Sequence, residues 1–130
     1  MKLNGYIEGY FGKLLSWNER EEILKQIVRQ KLNTYFYCPK EDPYHRLNWK
    51  EPYPESIKKG LGQFSKNCRA NEVKFLFGIS PGIDFKNSYD ELFMKISETR
   101  QLEILDVAIL FDDLFDCLLY TSPSPRDALT

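Results

Sequence analysis

Apolar positions along the chain alternate between two periodicities. Residues 3–7, 34–37, 73–77 and 107–111 form short apolar, aromatic or β-branched runs and predict strands. Between them the apolar residues recur at helical spacing. Ser16, Trp17, Asn18 and Glu19 make a capping box, and behind it Ile23, Leu24, Ile27 and Val28 share one face up to about Gln30. Residues 55–71 predict a second helix, weakened at its centre by Gly60 and Gly62. Tyr89, Leu92, Phe93 and Ile96 outline a third helix. A long Pro- and aromatic-rich connection occupies residues 38–54, and a Ser-Pro-Gly turn at residues 80–82 follows the third strand.

Strands that are apolar throughout, separated by amphipathic helices, indicate parallel βα units and an α/β fold. Each unit takes about 30 residues. The expected fold is the N-terminal half of a (β/α)8 barrel, truncated after the fourth strand, since a whole barrel needs about 250 residues. A doubly wound sheet is the alternative, but neither GxGxxG nor GxxxxGKS occurs, and Gly9 with Gly12 is too little for a phosphate loop. The glycine-rich and polar clusters each fall just after a strand: EGYFG, PKEDPYHR, ISPGID and DD. In a (β/α)8 barrel such positions share one rim, where the active site is built.

Composition narrows the function. The 130 residues carry 18 Lys+Arg against 19 Asp+Glu, a net charge of −1, with no basic block. This argues against nucleic acid and anionic membrane as partners. No apolar run approaches the ~20 residues of a membrane span. No secretory signal precedes the first strand, so the expected location is cytoplasmic unless the natural N-terminus is missing. Cys38, Cys68 and Cys117 are odd in number and show no close-paired spacing, which argues against a disulfide framework or zinc site, and Cys38 and Cys68 are expected to be buried free thiols.

The candidate chemistry lies in Asp112 and Asp113, which end the fourth strand. Adjacent strand residues point to opposite faces, so the chain must leave strand geometry there for both carboxylates to reach one pocket. Two close carboxylates raise each other's cost of ionisation and can divide into an acid and an ionised partner.

The strings GYIEGYFG, KLNTYFYCPKEDPYHRLNWKEPYPE, FGISPGID and AILFDDL, in this order, resemble family 84 of the glycoside hydrolases, the β-N-acetylglucosaminidases that include protein O-GlcNAc hydrolases and hyaluronidase-like enzymes. The similarity runs from about Gly5 to Asp116. It implies a (β/α)8 barrel and a retaining exo-enzyme in which the substrate's own acetamido oxygen attacks, through an oxazoline, without cofactor or metal. It implies that Asp112 orients the acetamido group and that Asp113 is the general acid, then the base. It further implies that Gly9 offers its backbone carbonyl, and Lys40 its ammonium, to sugar hydroxyls. The partner is then an N-acetylglucosamine-containing glycan or glycoprotein. A sugar-binding protein that keeps the pocket without turnover is the alternative.

Within that resemblance His45 is expected to be structural. Tyr44, Trp49 and Tyr53 could line the leaving-group side or fill the loop core, and Asp84 is expected to organise its loop. Tyr10-Phe11 reverses the family's usual Phe-Tyr order, and Leu14-Leu15 stands where a Pro-Trp is usual. The string CLLYTSPSPRD at residues 117–127 lacks periodicity and matches one reading frame of a transposase-based sequencing adaptor. The natural sequence is therefore expected to end near Asp116, with residues 1–116 a partial catalytic barrel and 117–130 foreign. A chain of this length is expected to be inactive and poorly soluble.

Overall fold

The computed structural model describes residues 2–82 and 85–111. The elements alternate strictly: β1 (Gly5–Glu8), α1 (Trp17–Arg29), β2 (Thr34–Tyr37), α2 (Glu55–Ala70), β3 (Lys74–Ile79), a 3-10 turn (Phe85–Asn87), α3 (Tyr89–Gln101) and β4 (Asp106–Ile109). The four strands are parallel and lie in the order β1-β2-β3-β4. A doubly wound sheet reverses its strand order at a switch point. Here the order never reverses, so each βα unit is placed beside the last, as in one half of a (β/α)8 barrel.

Local chemistry explains the boundaries. At Ser16 the capping box forms as the sequence predicts, with the Glu19 N–H donating to the Ser16 hydroxyl and the Ser16 N–H to the Glu19 carboxylate. Glu19 is held below the usual carboxylate range by these contacts, the Ser16 backbone foremost. All three helices end in the same way. Lys31, Glu72 and Glu103 adopt φ of 59°, 59° and 62°. The N–H of the next residue then reaches back to the carbonyl five positions earlier: Leu32 to Ile27, Val73 to Cys68 and Ile104 to Thr99, each at 2.9 Å. This is the Schellman stop, built here with charged residues where glycine is favoured. It consumes Val73, so β3 starts at Lys74 rather than at 73, and it runs on to Ile79.

Strand alternation sends Tyr35, Tyr37, Phe75, Phe77 and Ile79 to the helix side, where all are buried against residues such as Leu24, Ile27, Leu61, Phe64 and Cys68. Phe64 of α2 meets the Tyr35 ring edge-on at 4.8 Å and Phe75 at 5.8 Å. Each such pair adds about 0.5–1.5 kcal/mol beyond the area it buries. Burial also pushes the Cys68 thiol up to about 12. On the opposite face Phe36 and Leu76 are half-buried and Ile7 is 63% exposed. That apolar face is only partly covered among the described residues.

Two expectations change in contact with neighbours. Gly60 does not merely weaken α2: a Cβ there would lie 2.3 Å from the Trp17 indole nitrogen, so the glycine lets α1 and α2 touch. In α3, Tyr89 and Phe93 face outward at 53% and 65% exposure, and the buried side is Leu92, Lys95, Glu98 and Thr99. The reason is polar. Lys95 donates to the Glu51 carbonyl and to Glu98, while Glu98 accepts the Tyr53 N–H, so α3 clamps the connection after β2 through hydrogen bonds. Among the described residues no helix is long and apolar enough to cross a membrane.

Candidate active site

The parallel register brings the C-terminal ends of all four strands to one edge. The Cys38 N–H donates to the Glu8 carbonyl at 2.9 Å, and the Leu110 N–H to the Ile79 carbonyl at 2.7 Å, so pairing persists to the strand ends. Along that edge stand Gly9 after β1, the segment from Cys38 to Lys40 after β2, Ser80 to Gly82 after β3, and Leu110 with Phe111 after β4. Two of the sequence-predicted site residues, Gly9 and Lys40, therefore share one rim. Asp112 and Asp113 lie outside the described residues, immediately beyond Phe111, and so does Asp84.

Gly9 sits where β1 passes close to β2. A Cβ on it would come within 3.2 Å of the Cys38 sulfur and 3.3 Å of the Ile7 side chain. A larger residue would force these two side chains to give by some tenths of an ångström. Its neighbour Glu8 is 1% exposed, and this carboxylate is fully engaged. Arg20 of α1 grips it in a fork, Nε to Oε1 at 2.9 Å and Nη2 to Oε2 at 2.8 Å, and the Tyr35 hydroxyl donates to Oε1 at 2.5 Å. The guanidinium lies over two rings, 4.4 Å from the Trp17 centroid and 5.1 Å from that of Tyr37. Burial, reinforced by the hydrogen bond to Glu8, pushes the Tyr35 hydroxyl well above its ordinary range, so it stays a donor.

Lys40 occupies the first central position of a turn from Pro39 to Asp42, closed by the Asp42 N–H on the Pro39 carbonyl at 3.1 Å. Its ammonium lies 5.8 Å from the Phe11 ring, and the Arg46 guanidinium is 5.7 Å from the same ring. Phe11 is 69% exposed and links the loops after β1 and β2.

The turn is tied down behind Lys40. Asp42, 3% exposed, takes the Tyr37 hydroxyl at 2.6 Å and the Tyr53 hydroxyl at 2.7 Å on one oxygen, and the Tyr44 N–H at 2.8 Å on the other. Burial first, then charged or phenolic neighbours, raise the tyrosine hydroxyls well above their usual range. They therefore stay protonated and donate.

His45 is 1% exposed; its Nε2 lies 2.6 Å from the Pro39 carbonyl, which makes Nε2–H the donor. Its own carbonyl accepts the Ser80 N–H at 2.6 Å, joining the β2 and β3 ends. Its Nδ1 has no hydrogen-bond partner among the described residues. Burial holds the imidazole below its ordinary value of 6.5, in the neutral form this geometry needs. His45 is structural, as the motif suggested.

Trp49 and Tyr53, at 3% exposure each, belong to the core beneath the loop and form no wall at the rim. Tyr44 packs on Tyr53 with ring centroids 5.3 Å apart. Sequence reasoning missed Glu8, Arg20 and Asp42 as the groups that fix the rim. One signal was available: a glutamate closing an otherwise apolar strand needs a buried cation, and Arg20 follows the capping box. Asp42 carried no comparable signal, because its tyrosine donors are 5 and 11 residues away along the chain. A cavity of about 420 Å3 lies between α3 and the β2–α2 connection, but none of its lining residues belongs to this rim. Among the described residues no cluster of His, Cys, Asp and Glu is placed to hold a metal ion.

Residues 4–124 match the family model for β-N-acetylglucosaminidase. Protein O-GlcNAcase of Rattus norvegicus and that of Mus musculus are each 34% identical over 116 residues, covering 86% of this chain. The chain spans only 13% of the length of these curated relatives. Among solved structures, an O-GlcNAc hydrolase mutant of Thermobaculum terrenum superposes with a TM-score of 0.80 at 30% identity, over 87% of this chain and 25% of that one. The structure of CpGH84B superposes equally well at 36% identity, over 86% of this chain and 21% of its own.

Proposed function

This chain belongs to family 84 of the glycoside hydrolases, the β-N-acetylglucosaminidases, and on that premise we propose that the complete protein hydrolyses terminal β-linked N-acetylglucosamine with retention, through an oxazoline. The observation that carries this reading is the rim itself. Gly9 and Lys40 stand just beyond the ends of neighbouring parallel strands, and in sequence Asp112-Asp113 come shortly after β4, beyond Leu110 and Phe111.

The division of labour follows from the chemistry. The attacking oxygen belongs to the substrate's acetamido group, so the protein needs no covalent nucleophile of its own, unlike the usual retaining pair. Asp112 accepts the acetamido N–H, turns the carbonyl oxygen toward the anomeric carbon, and stabilises the positive charge that develops on the oxazoline. Asp113 gives its proton to the leaving oxygen, then takes one from the water that opens the oxazoline. The Gly9 carbonyl and the Lys40 ammonium hold sugar hydroxyls, and glycine permits the backbone to approach closely. A partial barrel lacks the contacts that a whole rim supplies, so the 130-residue chain is inactive by itself.

The test uses the complete enzyme and aryl β-N-acetylglucosaminides of graded leaving-group ability. Replacing Asp113 by Ala should lower kcat/KM by about 10²–10⁴-fold on poor leaving groups and far less on activated ones. Equal loss on both would remove the acid role. A wild-type protein that binds N-acetylglucosamine without turnover would replace hydrolysis by sugar binding.

A further inference from the structure

We propose that Asp42 is the positioning residue of this rim: its buried carboxylate gathers β2, the β2–α2 connection and the turn that carries Lys40 into one rigid unit, and so sets where the Lys40 ammonium stands. This rests on the reading of Lys40 as a sugar contact. The turn from Pro39 to Asp42 is held at both ends. At one end the Pro39 carbonyl accepts from the Asp42 N–H at 3.1 Å and from His45 Nε2–H at 2.6 Å. At the other, the Asp42 carboxylate takes three donors from three places: Tyr37 within β2, Tyr44 two residues on, and Tyr53 just before α2. Lys40 lies between these anchors, two residues from the carboxylate, with backbone freedom removed on both sides.

Only a carboxylate satisfies this geometry. Asparagine at 42 keeps one acceptor oxygen for the Tyr44 N–H. Its amide nitrogen then faces the Tyr37 and Tyr53 hydroxyls, both of which lose their acceptor inside the core. One ångström of misplacement at a contact of this kind is enough to lower catalysis about 100-fold. Asp42 acts through its neighbours: it is 3% exposed, and its two carboxylate oxygens are taken up by Tyr37, Tyr53 and the Tyr44 N–H.

The experiment is a double-mutant cycle on the complete enzyme, read as kcat/KM with an aryl β-N-acetylglucosaminide. Lys40→Ala and Asp42→Asn should each lower kcat/KM by about 10–100-fold. If Asp42 acts through Lys40, the double variant is no more than about twofold worse than Lys40→Ala alone. Losses that multiply while the wild type is active would show Asp42 to be merely structural and would overturn the proposal. A wild type without activity would remove the glycosidase reading, and this proposal with it. Where Asp42→Asn does not fold, Tyr53→Phe takes its place. It deletes one donor, keeps the ring in the core, and should cost about 3–10-fold with the same non-additivity toward Lys40→Ala.

Discussion

Replacing Arg20 by Met is the sharpest test of how this rim is held. Methionine keeps much of the apolar stem but removes the charge that lies over Trp17. Two charge-assisted hydrogen bonds to Glu8, at 2.9 and 2.8 Å, disappear. Glu8, at 1% exposure, is left with the Tyr35 hydroxyl as its remaining side-chain donor. Breaking one side of a buried ion pair costs about 3–5 kcal/mol, because the surviving charge stays desolvated. Two hydrogen bonds to charged groups, at about 1.5–3 kcal/mol each, give the same order. With an m-value of about 2 kcal/mol/M in urea, the unfolding midpoint should fall by roughly 1.5–2.5 M. Tryptophan fluorescence reports the transition, through Trp17, whose ring lies 4.4 Å from the guanidinium, and through the buried Trp49. The double variant Glu8→Gln/Arg20→Met should recover at least about 1 kcal/mol, since it removes the stranded carboxylate. A single variant within about 0.5 kcal/mol of wild type, or a double variant worse than the single, would refute the argument.

Gly60 and Gly62 should respond oppositely to alanine. Helix propensity favours both changes by about 1 kcal/mol, but a Cβ on Gly60 overlaps the Trp17 indole at 2.3 Å whereas one on Gly62 meets Leu102 at an ordinary 3.5 Å. Thermal melts should show Gly62→Ala stabilised and Gly60→Ala destabilised, and a gain for both would deny the close α1–α2 contact. His45 gives a pH signature. Its folded-state pKa lies below the ordinary 6.5, so as pH falls below 6.5 the unfolded chain binds the proton first and stability is lost down to the folded pKa. His45→Gln, which keeps a donor for the Pro39 carbonyl, should flatten the stability profile in that window, and an unchanged profile would assign the titration elsewhere.

Much of this molecule was written in local patterns. Strand alternation, the capping box at Ser16 and three amphipathic helices specify repeating βα units, and these depend on contacts within a few residues. The placement of Gly9 and Lys40 at strand ends was legible for the same reason, since position along a strand is itself local. The charged residues that end the helices were not, because Lys31, Glu72 and Glu103 take a left-handed conformation that composition does not announce. Nor was the inward side of α3, where the apolar count favoured Phe93 and the hydrogen-bonding needs of the β2–α2 connection selected Lys95 and Glu98.

The sequence by itself determined the α/β class, the strand order in time, and which residue types stand at the strand ends, because period and spacing act through the nearest neighbours on the chain. Tertiary structure alone decided what holds those residues still. Glu8 meets Arg20 across 12 residues and Tyr35 across 27, and Asp42 meets Tyr53 across 11. A buried carboxylate must find its donors wherever folding has put them. Packing of β1, α1 and β2 brings the donors to Glu8, and packing of β2 with the β2–α2 connection brings those to Asp42, each while excluding the water that would otherwise take their place.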